Sequence, residues 1–144
     1  MIFHLPGQVG IDMRMSKIIV FCSIVFIAGC ASFAAREQLA SLETALHTYE
    51  IAIRWGQHEA VKEFILDFEK QARNFKKFRL LKVTSYEVLS LKISESNVQA
   101  EQRVEINYYD PVNPVEKTLI DRQVWEYRKE TKRWYLLSDF PDFK

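Results

Sequence analysis

The chain has 144 residues, with 20 basic and 19 acidic side chains, a net charge of +1 and two cysteines, Cys22 and Cys30. That length holds one ordinary domain with little to spare. Balanced charge argues against nucleic acid or an anionic surface as the partner, and two cysteines argue against a disulfide-stapled scaffold.

The first element is an address label. Arg14 and Lys17 lead into the apolar run Ile18-Ile19-Val20-Phe21-Cys22-Ser23-Ile24-Val25-Phe26-Ile27, then Ala28-Gly29-Cys30. A basic start, about ten apolar residues and small residues at a cut site describe a secretory signal. The run is too short for a hydrocarbon core, which takes roughly 20 helical residues. With Cys directly after Ile-Ala-Gly, the segment resembles the bacterial lipoprotein signal, its lipobox being Ile27-Ala28-Gly29-Cys30. The resemblance implies a mature N-terminus at Cys30 carrying a diacylglyceryl thioether and an amide-linked acyl chain such as palmitate. An ordinary cleaved signal, or a short uncleaved anchor, with a chance cysteine is the plainer alternative. Met1–Asp12 fits no part of the signal, so the expected translation start is Met13 or Met15. The expected organisation is a leader and signal over 1–29, a lipidated tether over 30–36 and one domain over 37–144. Removing 29 residues leaves 115, with 18 basic and 18 acidic side chains and no second cysteine for an internal disulfide.

Ala35, Leu39, Leu42, Leu46, Tyr49 and Ile53 are spaced for one face of an amphipathic helix that Gly56 ends as a C-terminal cap. A second helix is expected from His58 to Phe68, with Val61, Phe64, Ile65 and Phe68 inward. Its continuation to Phe78 is a third helix or a loop. In Arg73-Asn74-Phe75-Lys76-Lys77-Phe78-Arg79, the phenylalanines are expected in the core and the charges in water. Contact with anionic head groups or lipopolysaccharide is the alternative.

From Leu80 the period becomes two. Val98, Ala100, Gln102, Val104, Ile106 and Tyr108 form one face of a strand. Asp110 to Pro114 is a turn, Val115 to Arg128 a strand with Leu119, Trp125 and Tyr127 on one face, and Arg133 to Phe140 another with Trp134, Leu136 and Phe140. Parity fixes the register, because a slip of one residue turns every side chain over. Asp110 opposite Val115 sets Ile106 against Leu119, Val104 against Asp121, Gln102 against Gln123 and Ala100 against Trp125. The second hairpin sets Tyr127 against Trp134 and Trp125 against Leu136. Arg103 then faces Arg122 on the other side, softened by Glu101 and Glu105. The aromatic residues of these strands should cluster beneath Leu39, Leu42, Leu46 and Tyr49.

Helices followed by an antiparallel meander make an α+β fold with helices packed on one sheet face, preceded by a signal-peptide helix. The order, with Leu46–Gly56 and the Trp125-Glu126-Tyr127 and Trp134-Tyr135-Leu136 strands, resembles the nuclear-transport-factor-2-like (cystatin-like roll) superfamily over residues 37 to 140. That resemblance implies a curved sheet enclosing a pocket with the helices, and an acid or His inside it in members that do chemistry.

No glycine loop, Cys pair, His-x-x-x-His or nucleophile motif is present. His47 and His58 read as solvated or capping residues. No catalytic residue, cofactor or metal is assigned. The register gathers Gln102, Asp121, Gln123 and Trp125 on one face as a candidate ligand-binding set, with Lys117 nearby. Burial would raise the pKa of Asp121 and suit it to general-base work. Two functions follow. One is a non-catalytic envelope lipoprotein, held to the membrane through lipid on Cys30, that binds an envelope protein or an amphipathic ligand or supports envelope structure. The other is a small pocket enzyme resembling the ketosteroid-isomerase or polyketide-cyclase branches, with Asp121 as acid or base. The missing His partner favours the first. The lipoprotein resemblance implies that Ala31, in place of the Asp that marks inner-membrane retention in enterobacterial lipoproteins, directs the protein to the periplasmic face of the outer membrane in a cell with two membranes.

Overall fold

The computed structural model describes residues 13–144, with side chains from Phe33 onward. Met1–Asp12 and the side chains of the signal segment, Cys30 included, lie outside the described residues, as do the expectations that fall on them. The chain divides into two compact units, residues 1–37 and 38–144. Helix α1 (Met13–Arg54) contributes to both. The second unit continues with α2 (His58–Lys62), α3 (Phe68–Phe78), β1 (Lys82–Ile93), β2 (Gln99–Asp110), β3 (Asn113–Arg128) and β4 (Arg133–Leu136). Among the described residues no helix is long and apolar enough to cross a membrane.

Helix α1 ends as its sequence requires. Gly56 takes φ +61°, a left-handed conformation that strains any residue with a Cβ. The amide of Gly56 donates to the Ile53 carbonyl at 3.3 Å and that of Gln57 to the Ala52 carbonyl at 2.8 Å. This pair of backward bonds is the Schellman arrangement, and it turns the chain into α2. Leu42, Leu46, Tyr49 and Ile53 of the predicted stripe are buried.

The second helix is shorter than expected. Val61, Phe64, Ile65 and Phe68 have helical spacing, but the helix stops at Lys62 because Phe64 and Ile65 are used by the sheet. The Phe64 carbonyl accepts from the Leu136 amide at 2.8 Å, and Ile65 forms a single parallel bridge with Leu136. The chain re-enters a helix at Phe68. That third helix buries Phe75 and Phe78 while Arg73, Lys76, Lys77 and Arg79 remain exposed.

The strands form one antiparallel sheet in the order β1-β2-β3-β4, and the sheet is not closed. The fold is α+β. Every predicted pair between β2 and β3 from Ile106–Leu119 to Ala100–Trp125 is present, as are Tyr127–Trp134 and Trp125–Leu136. Arg103 faces Arg122, both exposed on the outer face. The turn differs. Asp110 faces Asn113, not Val115, and β3 begins two residues earlier than expected. Asp110 Oδ1 accepts from the Val112 amide at 2.9 Å, which tightens the loop to Pro111-Val112. A register shift between Tyr108 and Asp110 takes up the extra residues, so the rest of the ladder is unchanged.

The last strand is also shorter than expected, ending at Leu136. Phe140 is buried all the same. It packs with Phe143 against Phe75 and Phe78 of α3, with ring centroids 5.5–6.2 Å apart. Within the period-two stretch from Leu80, β1 supplies the first strand of the sheet.

Candidate functional site

Alternation along β2 and β3 places Gln102, Asp121, Gln123 and Trp125 on the core face, and all four are buried. The predicted set is therefore brought together. Gln123 is its centre. The indole N–H of Trp125 can only donate, so the Gln123 atom 3.3 Å from it is the carbonyl oxygen. The Gln123 amide nitrogen then donates to Asp121 Oδ2 at 2.9 Å. Chemistry at both ends gives the same orientation of this amide. Gln102 Nε2 also donates to the Gln123 oxygen, at 3.3 Å.

The residue that sequence reasoning missed is Tyr86. It sits on β1 opposite Ile106, and its hydroxyl lies 3.0 Å from Gln123 Nε2 and 3.3 Å from Gln102 Nε2. Tyr49, expected only as part of the helix stripe, borders the same set. Its ring meets Trp125 edge-on at 5.1 Å, and its buried hydroxyl has no partner among the described residues.

Burial sets the electrostatics. Desolvation raises the pKa of Asp121, with the hydrogen bond from Gln123 opposing it. The phenols of Tyr86 and Tyr49 are likewise pushed up by burial, and the charge of Asp121 adds to both shifts. In each case burial shifts the equilibrium toward the neutral form, as expected in a low-dielectric interior.

Lys117 stands apart from the set, exposed and donating to the Lys144 carbonyl at 2.8 Å. His47 is exposed beside Glu50 at 3.9 Å. His58 is half-buried, edge-on to Phe75 and Phe78, and burial lowers its pKa, with Arg79 adding to the effect. Neither histidine joins the cluster. Among the described residues no three His, Cys, Asp or Glu side chains are grouped to hold a metal ion.

Two concavities lie away from this set. One of about 530 Å³ runs along α1 and α2 to β4, lined by Ser41, Ala45, Thr48, Ala60, Phe64 and Trp134 among others, and by none of the four cluster residues. Another of about 230 Å³ lies where Leu80, Tyr108, Lys117 and Phe143 meet.

No family model matches the chain, and no curated protein matches it. Among solved structures it is similar to a SEC-C motif containing protein from Psychrobacter arcticus, with 13% identity and a TM-score of 0.51 over 72% of this chain. The match spans 62% of that protein's length, and what the two share is the arrangement of helices and antiparallel sheet.

Proposed function

We propose that the chain is a cell-envelope lipoprotein, anchored by lipid on Cys30 and facing the periplasm from the outer membrane, whose domain is a non-catalytic binding or structural module of the cystatin-like roll type. One observation carries the non-catalytic reading. Both polar atoms of Gln123, the Gln102 amide nitrogen, Asp121 Oδ2 and the Trp125 indole N–H are paired with one another and with Tyr86. Buried polar groups paired in this way fix side chains and register rather than meet a ligand. The order of helices before a four-strand meander supports the roll, and the Ile27-Ala28-Gly29-Cys30 sequence supports the anchor.

A second reading has an observation of its own. Asp121 is buried with a raised pKa and shares Gln123 with Tyr86, which is the kind of pairing an acid/base site uses. Against it, neither the concavity along α1, α2 and β4 nor the one at Leu80 and Phe143 is lined by Asp121.

Two measurements test the proposal. Intact mass of the protein taken from membranes is expected to show a lipidated Cys30 as the first residue, and Cys30→Ser to release the domain or leave a precursor. An unmodified Cys30 overturns the anchor. Asp121→Asn is expected to complement a deletion strain as the wild type does. Loss of complementation with folding intact overturns the non-catalytic module in favour of the pocket enzyme.

A further inference from the structure

The geometry points to β1 as a self-association edge: two copies of this chain join their sheets antiparallel through Glu87–Ile93, about a twofold axis at Ser90. Among the described residues, strand β1 is terminal in the sheet and pairs only with β2. Its far side therefore presents unpaired N–H and C=O groups, a template for another strand.

The side chains on that edge are apolar where an edge is normally polar. Val88, Leu91 and Ile93 are 48%, 41% and 42% exposed. Their partners across the ladder, Val104, Gln102 and Ala100, are buried. The core face of the sheet thus continues past β2 and reaches the edge uncovered. Leu89, in the same stretch, is exposed as well.

Which occupant fits is decided by charge and parity. Glu87 and Lys92 are five residues apart and would lie on opposite faces of a regular strand. The register shift between Val88 and Ser90 makes Leu89 an extra residue. Glu87 and Lys92 then fall on the same outer face, opposite Glu105 and Glu101 respectively. A twofold axis through Ser90 keeps each residue on its own face. It sets Val88 against the partner's Leu91 on the core side and Glu87 against the partner's Lys92 on the outer side. Slipping by two residues removes both ion pairs, and slipping by one exchanges the faces. Glu87 gains most, since within one copy it faces the like charge of Glu105 and makes no ion pair among the described residues. The edge is complementary to itself, which makes a second copy the fitting occupant.

The test uses the full chain with Cys22 and Cys30 replaced by serine and Ser90→Cys added. Residues opposite one another in an antiparallel ladder have Cα atoms about 4.5–5.5 Å apart, which a disulfide can span. Mild oxidation is expected to give a covalent dimer, while Thr118→Cys on the outer face of β3 gives only collisional product. Glu87→Lys or Lys92→Glu alone is expected to lower the Ser90→Cys yield several-fold, and the two together to restore it. Sedimentation of the chain without added cysteine is expected to show a concentration-dependent dimer that Leu91→Lys abolishes. A monomer at every concentration, a double charge swap no better than the single changes, or a Ser90→Cys adduct in cells with a different protein in place of a second copy would each overturn the proposal.

Discussion

On the core face of the sheet, Trp125 lies two residues from Gln123, yet the two occupy different kinds of interior. Around Trp125 the neighbours are rings, with Tyr49 at 5.1 Å and Phe64 at 5.8 Å, both edge-on. Around Gln123 they are hydrogen-bonding groups from three strands. Aromatic packing is non-directional to first order and large in area. The amide cluster adds little net energy when satisfied and penalises any arrangement that leaves it unsatisfied. The aromatic patch therefore supplies stability, and the polar patch selects the register that brings Gln102 opposite Gln123.

The contrast can be broken by substitution. Trp125→Ala and Trp134→Ala should each cost about 3–5 kcal/mol, read as a shift in the denaturant midpoint. An unchanged midpoint for either would put stability elsewhere. Gln123→Leu is next, at about 1–3 kcal/mol, because it strands the Trp125 indole N–H, Gln102 and Asp121. A variant as stable as wild type would make the cluster ornamental. Asp121→Asn should behave oppositely to an ordinary carboxylate loss. With its folded pKa raised, Asp121 favours the native state below the ordinary aspartate range and loses that contribution as pH rises through the folded value. Asn still accepts from Gln123, so the variant should equal or exceed wild type near neutral pH, and the difference should close in acid. Thermal melts across that range decide it, and a variant weaker at neutral pH would mean that the charge is favourably held. Smallest is Tyr49→Phe, expected to change stability by less than about 1 kcal/mol, since the removed hydroxyl has no partner among the described residues. A larger loss would extend the polar patch to α1.

Legibility followed regularity. In β2 the burial alternates residue by residue, so parity gave the faces and the four residues of the candidate set. The pairings followed from the assumed loop and survive its change because the register shift between Tyr108 and Asp110 offsets it. The strand β1 lies within the period-two stretch that begins at Leu80, but two register shifts, after Val83 and after Val88, interrupt its alternation, so its partners do not follow from parity. Tyr86 was lost with them, and so was the hydroxyl that ties Gln102 to Gln123. The boundary between α2 and α3 was hidden for a different reason. Helical spacing of Val61, Phe64, Ile65 and Phe68 is real, but a tertiary partner, Leu136, claims two of the four.

The bridge from Ile65 to Leu136 has a consequence for how far the sheet can extend. Strand β4 is four residues long, and its outer side is taken up by the Phe64 carbonyl and Ile65, with Arg133 held to Glu63 at 3.0 Å. Among the described residues, one margin of the sheet is covered by its own chain while the other is open. A sheet open at both margins offers two docking ends and can polymerise without limit. With one margin closed each molecule has a valence of one, and strand-to-strand association terminates at a pair instead of propagating as a fibre.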